Sequence, residues 1–227
     1  MKQVRITVTG FALILACACS MSPERARAEI DALELSFDEA GIGHAVLSGD
    51  PKLVKLFVTA GYDVNTFADA RRAPLMLSTR LSHGPTVKTL IAAGARAEGL
   101  PGVLNLPAGQ GDLETMAMLL DVGADIDSED SARRTAILVA IDSGRIEAVR
   151  FLLDNGADPD GNRLHPGRGG TSPLIKAVMN NQPEMVELLI GAGADPRLSA
   201  GSTDAIRAAE RAGRQDLAQR LREASAN

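Results

Sequence analysis

Apolar residues recur at helical spacing in five short stretches of this chain: LVKLFVTAG (53–61), TVKTLIAAG (86–94), TMAMLLDVG (115–123), AVRFLLDNG (148–156) and MVELLIGAG (185–193). Each reads as a helix that buries one face and stops at a Gly. A second, shorter apolar stretch lies upstream of each, after a Pro or a small polar residue, as in Ala73-Pro74-Leu75, Thr135-Ala136-Ile137 and Ser172-Pro173-Leu174. Ser or Thr there predicts an N-cap, and Pro suits a first helical turn. The pattern therefore predicts helix pairs. Gly49, Ser82, Gly111, Gly144, Asn181 and Gly213 fall between the two helices of successive pairs, where a left-handed turn is expected.

The closing strings align: AGYDVN, AGARA, VGADID, NGADPD and AGADPR, with Gly61, Gly94, Gly123, Gly156 and Gly193 spaced 33, 29, 33 and 37 apart. A period near 33 with a turn and two helices per unit resembles the ankyrin repeat, over about residues 36 to 223. The resemblance implies an all-α solenoid of about six helix-turn-helix repeats with short finger loops, each repeat buried only against its neighbours. The small residues Ala45, Ser78, Ala140, Ala177 and Ala209 then mark close helix approach, and Phe57-Val58, Leu90-Ile91, Leu119-Leu120, Leu152-Leu153 and Leu189-Ile190 are buried pairs. The last repeat carries Arg214, Gln215, Arg220 and Arg222 and reads as a polar cap. At the front, residues 23–33 predict an amphipathic helix with Ile30, Leu33 and Leu35 packing on the first repeat.

The chain departs from the family pattern in three places. The His of the family's TPLH string is replaced throughout, by Gly43, Met76, Asn105, Leu138, Ile175 and Arg207, which removes the usual hydrogen-bond network at the helix start. Pro107 stands where the other repeats place a small residue, so the first helix of repeat three is expected to be short or bent. The linker GNRLHPGRGG (161–170) lengthens the period and predicts a long mobile finger.

The N-terminus is not periodic. Lys2 and Arg5 precede an unbroken apolar run from Ile6 to Ala16, then small residues, the three-part pattern of a secretory signal. Ile14-Leu15-Ala16-Cys17 resembles a bacterial lipobox, with Cys19 as a second register; the resemblance implies an acylated Cys at the mature N-terminus. Neither Ala18 nor Ser20 is the Asp associated with inner-membrane retention, which points to the outer membrane. Plain secretion, with cleavage after Ala18 or Ala28, reads the same residues. The expected division is a signal or lipobox segment over 1–19, a linker and capping helix over 20–35, and the repeat domain over 36–227, facing the periplasm or held at the outer membrane.

Composition narrows the chemistry. The 227 residues carry a formal net charge of −5 with only 3% aromatics and no Trp. Acidity and scarce rings argue against nucleic acid as a partner. No apolar run of about 20 residues exists to span a bilayer, so any membrane contact is through the lipid. Two Cys two residues apart cannot staple a fold. The three His lie far apart: His44 is expected in the inter-helix core, His83 solvated in a turn and His165 in the long finger. The sequence shows neither a zinc spacing nor a phosphate loop, so no cofactor, metal or catalytic group is expected. Asp125, Asp127, Asp158 and Asp160 recur with the repeat and read as turn residues.

Surface remains. In the ankyrin family the finger tips and first helices meet partners. On this chain those positions are Asp69, Arg71, Arg72, Arg80 and Leu81 in repeat two; Arg133, Arg134, Asp142 and Ser143 in repeat four; Thr171, Met179 and Asn180 in repeat five; and Arg163, His165 and Arg168 on the long finger. The Arg clusters are either forks for an acidic partner patch or scattered solvated charges. The expectation is a monomeric, non-enzymatic protein-binding module, a scaffold or protective protein, exported to the cell envelope. The alternative is an inhibitor or immunity-type protein that blocks an enzyme or toxin.

Overall fold

The computed structural model describes residues 21–161, 171–199 and 203–226. Its regular elements are helices, and they divide between two compact bodies that meet at residues 95 and 96. The N-terminal body holds α1 (Pro23–Ala32), α2 (Glu39–Leu47), α3 (Pro51–Thr59), α4 (Pro74–Arg80) and α5 (Gly84–Ala92), with one 3-10 turn at Ala70–Arg72. The C-terminal body holds α6 (Asn105–Gln110), α7 (Leu113–Asp121), α8 (Ala136–Asp142), α9 (Ile146–Asp154), α10 (Pro173–Met179), α11 (Pro183–Gly191), α12 (Ala205–Arg211) and α13 (Gln215–Ala224). Pairs α2–α3 and α4–α5 are repeats one and two; α6–α7 to α12–α13 are repeats three to six.

In the N-terminal body α1 packs on α3, α2 on α4 and α3 on α5. Asp38 caps α2 by accepting from the Ala40 and Gly41 N–H groups, and Asp50 caps α3 from Lys52 N–H. Ile30, Ile42, Phe57, Leu75 and Leu90 form the core. Three of the few rings gather here: Phe37 stacks on Phe57 at 5.9 Å, Tyr62 meets both edge-on, and the Arg27 guanidinium lies 4.0 Å above Phe37. These contacts pin α1 to the first repeat. Leu33 takes no part: it follows the last turn of α1 and stays 40% exposed, while Ala26 and Ile30 do the packing.

In the C-terminal body α6 packs on α8, α8 on α10 and α10 on α12. Ala140, Ala177 and Ala209 are fully buried, as close approach of the first helices demands. In each leucine-type pair only the first member is fully buried: Phe57, Leu90, Leu119, Leu152 and Leu189, whereas Val58, Ile91, Leu120, Leu153 and Ile190 are half-buried. One residue along a helix turns the side chain about 100°, so both cannot face the same seam.

The turns hold the repeats together. The six inter-helix residues all lie in the left-handed region, from φ 57° at Ser82 to 77° at Gly111. Each repeat-end Gly is also left-handed and sits inside a Schellman motif; at Gly156 (φ 91°), Ala157 N–H reaches Leu152 O at 3.0 Å. After four of the six inter-helix turns the next residue straps back to the first helix of the preceding repeat, whereas Asp50 and Asp112 cap the helices that follow them. His83 Nδ1 lies 3.0 Å from Val46 O, Arg145 Nε donates to Gly109 O (3.2 Å), Gln182 Nε2 to Ile141 O (2.8 Å) and Arg214 Nη1 to Val178 O. His83 is thus half-buried against Gly49 rather than solvated.

Pro107 does shorten its helix, since α6 has six residues against seven or more in the other first helices. No kink arises, because Pro107 occupies the first turn, where the missing N–H would have had no intrahelical partner. At the helix starts Ser172 caps α10 through Ile175 N–H, as expected. Thr135 does not cap α8; its hydroxyl is buried without a partner. Asn105 partly restores the network that the lost His would supply, its Nδ2 donating to Arg134 O at 2.8 Å.

Candidate partner-binding surface

The finger of repeat two is built by Asp69, whose carboxylate accepts from Arg71 N–H at 2.9 Å and starts the 3-10 turn. Arg71 points outward, with its Nε 3.9 Å from the same carboxylate, and Arg72 turns instead to Glu39 of repeat one at 3.1 Å. Arg80 and Leu81 close α4, both exposed. Of the two finger guanidiniums in this repeat, then, one is paired to the neighbouring repeat and one leans on its own loop.

The finger of repeat four is organised by Asp130. Its Oδ1 accepts from the N–H groups of Ala132 and Arg134, and its Oδ2 takes both Nε (3.1 Å) and Nη2 (2.9 Å) of Arg134. Burial alone would raise the Asp130 carboxyl, but these hydrogen bonds outweigh it and hold it below the ordinary carboxylate range. Arg134 is therefore a lock for its own finger, not an open fork. Arg133 projects beside it, exposed, with a positive φ of 58°.

On the first helices of this body, Asp142 bridges to repeat five through Lys176 Nζ (2.9 Å) and Asn180 Nδ2 (3.3 Å). Ser143 is exposed, Thr171 half-buried, and Met179 stands 66% exposed at the end of α10. The structure thus brings Asp142, Asn180 and Lys176 into one cluster. Lys176 was not singled out in the sequence, although it lies four residues before Asn180 on one helix face. Arg163, His165 and Arg168, like Cys17 and Cys19, lie outside the described residues.

The carboxylates of the repeat ends behave as turn residues. Asp125 accepts from Asp127 N–H, Asp127 from Asp158 N–H, Asp158 from Asp160 N–H, and Asp160 from Asp195 N–H at 2.7 Å. This is a ladder that ties the ends of repeats three, four and five in turn. Burial, and then the nearby Asp158 and Asp125 charges, push the Asp127 carboxyl up, against the hydrogen bond from Asp158 N–H. His44 is exposed on α2, not in the core; Ile42, Ala45 and Val46 supply the buried face, and at 100° per residue His44 points away from it. Among the described residues no group of three His, Cys, Asp or Glu could hold a metal ion, and no helix is long and apolar enough to cross a membrane.

Residues 104–200 match the family model for ankyrin repeats, in three copies. The chain is 31% identical over 162 residues to the B-cell lymphoma 3 protein homolog of Mus musculus, a match covering 67% of this chain and 36% of that protein. It therefore spans about a third of the length of that curated relative. Its fold is similar to the crystal structure of the ankyrin repeat domain of Bcl-3 (TM-score 0.66, 28% identity, 82% of this chain and 86% of that one). It is also similar to an ankyrin repeat domain from Acinetobacter baumannii AYE (TM-score 0.70, 25% identity, 82% and 98%).

Proposed function

Starting from a chain that carries ankyrin repeats in an all-helical repeat fold, we propose that it is a non-enzymatic module that holds a protein partner on its fingers and first helices, at the bacterial cell envelope. Ankyrin repeats are interaction scaffolds as a rule, and the observation that carries the reading here is where the polar groups go. The recurring Asp residues are consumed by backbone N–H groups, and Asp130, Glu39 and Asp142 by cations of their own or neighbouring repeats. Groups so engaged serve packing and finger shape, leaving recognition to the side chains around them.

The acidic-partner reading narrows to fewer residues. Arg72 and Arg134 are committed to Glu39 and Asp130, so the contact falls first to Arg80 and Arg133, which are exposed. Export and lipid attachment at Cys17, or at Cys19, rest on the sequence MKQVRITVTGFALILACACS alone, and with them placement in the periplasm or at the outer membrane.

Crosslinking in intact cells, followed by purification of the mature chain from membranes, tests the function. One protein recovered in stoichiometric amount is expected, and loss of it in an Arg80→Glu/Arg133→Glu double variant. Recovery of none would overturn the reading. A recovered enzyme or toxin whose activity is abolished at a one-to-one ratio would make the chain an inhibitor or immunity-type protein. Mass spectrometry of the mature N-terminus is expected to show an acylated Cys17 or Cys19; an unmodified N-terminus after Ala18 or Ala28 would replace the lipid anchor with plain secretion.

A further inference from the structure

The second helices of the N-terminal body turn a face of one charge sign to water. In α3, Lys52 and Lys55 are exposed, while Val54, Leu56 and Phe57 on the same helix are buried. Three residues apart, the two ammonium groups share one side. Lys88 of α5 is exposed in turn, and it stands six residues before Gly94 as Lys55 stands six before Gly61. Because α3 packs on α5, that shared register sets Lys88 one helix spacing from Lys55. On the other flank α1 packs on α3 and ends in the same kind of turn, with the left-handed Glu34 (φ 57°) in place of the Gly and Leu35 N–H on Ile30 O at 3.2 Å. Its Arg25 holds the register of Lys52, exposed and 3.6 Å from Glu29.

Neither composition nor helix stability accounts for this row. α3 and α5 contain no Asp or Glu, in a chain whose net charge is −5. The acids of this layer, Glu24, Glu29 and Asp31, are confined to α1. Within the C-terminal body the second helices α7, α9 and α11 carry six carboxylates and one Arg, and at the register of Lys52 they place Glu114, Glu147 and Glu184. Lys52 also lies in the first turn of α3, where the helix dipole disfavours a cation. The lysines are therefore set against the local helix preference and against the sign of the whole chain.

We infer that the outer side of α3 and α5, through Lys52, Lys55 and Lys88, lies on the anionic phospholipid headgroups of the membrane that holds the chain. The inference rests on the lipid attachment proposed above and adds an orientation to it. From Cys17 to Ser22, the N-cap of α1, there are five peptide steps, at most about 18 Å of extended chain. So short a tether keeps the N-terminal body at the bilayer surface and concentrates its cations there. Headgroup phosphates are dense and mobile, and they suit ammonium groups on flexible stems. The tether favours the bilayer over a soluble acidic protein, because only the bilayer is brought within reach by the chain itself. With this side down, α2 and α4, the other layer of the body, keep their outward side and Arg80 open to the protein partner.

The test uses the mature full chain purified from membranes and mixed with vesicles of phosphatidylcholine, with or without phosphatidylglycerol. Flotation reads the anchor. Acetylation by an N-hydroxysuccinimide ester, followed by mass spectrometry, reads the face, since Lys52, Lys55, Lys88 and Lys176 are the four lysines beyond residue 19. The chain is expected to float with both vesicles. With phosphatidylglycerol present Lys52, Lys55 and Lys88 should react at least fivefold more slowly than without it and Lys176 equally, and about 0.5 M salt should remove the difference. Lys52→Glu/Lys55→Glu should restore the reactivity of Lys88 on phosphatidylglycerol, while circular dichroism stays that of the parent chain. Flotation with both vesicles and equal labelling of the three lysines overturns the inference and leaves the anchor standing. Flotation with phosphatidylglycerol alone, the three lysines being protected, removes the anchor and keeps the headgroup contact; flotation with neither removes both. Slow labelling in detergent that deepens with protein concentration assigns the lysines to a second copy of this chain and overturns the inference as well.

Discussion

Arg133 holds a left-handed backbone (φ 58°) that glycine adopts freely and a residue with a Cβ does not. The strain in the finger of repeat four is worth roughly 1 kcal/mol, and it is sustained by the Asp130 bonds on either side. Arg133→Gly is therefore expected to raise the urea midpoint. If Arg133 meets the partner, the same change weakens capture, and the strain serves to present a guanidinium. A second expectation concerns Asp127, whose carboxyl is pushed up chiefly by burial. A group whose folded pKa is raised binds its proton more tightly in the fold, so it subtracts stability as pH rises through and above the ordinary carboxylate range. Asp127→Asn keeps an oxygen to accept from Asp158 N–H and removes the charge. Urea melts should show it more stable than the parent chain at pH 7, with the gain gone at pH 3.

Among the elements, α6 is the weak one. It has six residues, starts without a side-chain cap and carries Pro107 in its first turn. Its amides are expected to exchange faster than those of α8 and α10; equal protection would contradict this. The straps are separable from the helices. Gln182→Ala removes the 2.8 Å bond to Ile141 O between repeats and should cost about 1 kcal/mol in a chemical melt. These two features show what could be read in advance. Helix pairs, left-handed turns and the small residues at close approach follow from local spacing, because one helical face and one turn conformation are fixed by neighbours in sequence. The straps of His83, Arg145, Gln182 and Arg214 were not legible, since they depend on which carbonyl of another repeat lies within reach. For the same reason the Arg clusters were recognised as surface, but not that Arg72 and Arg134 are spoken for. Thr135 looked like a cap because its type and position fit; only the side-chain direction shows its hydroxyl unused.

At the scale of the molecule, a chain with a net charge of −5 exposes Arg80 at a first-helix end and Arg133 on a finger, while Asp127, Asp160 and Asp142 are drawn into turns and bridges between repeats. That sorting gives the surface a recognition chemistry although the composition suggests none. The central claim is that first helices and fingers bind a protein. The most direct measurement is calorimetric titration of the purified mature chain with the partner recovered from crosslinked cells. The account predicts a one-to-one complex weakened at least tenfold by Arg80→Glu/Arg133→Glu and unchanged by Glu184→Lys on α11. Affinity that is indifferent to the first pair and lost with Glu184→Lys would place the partner elsewhere and contradict the central claim.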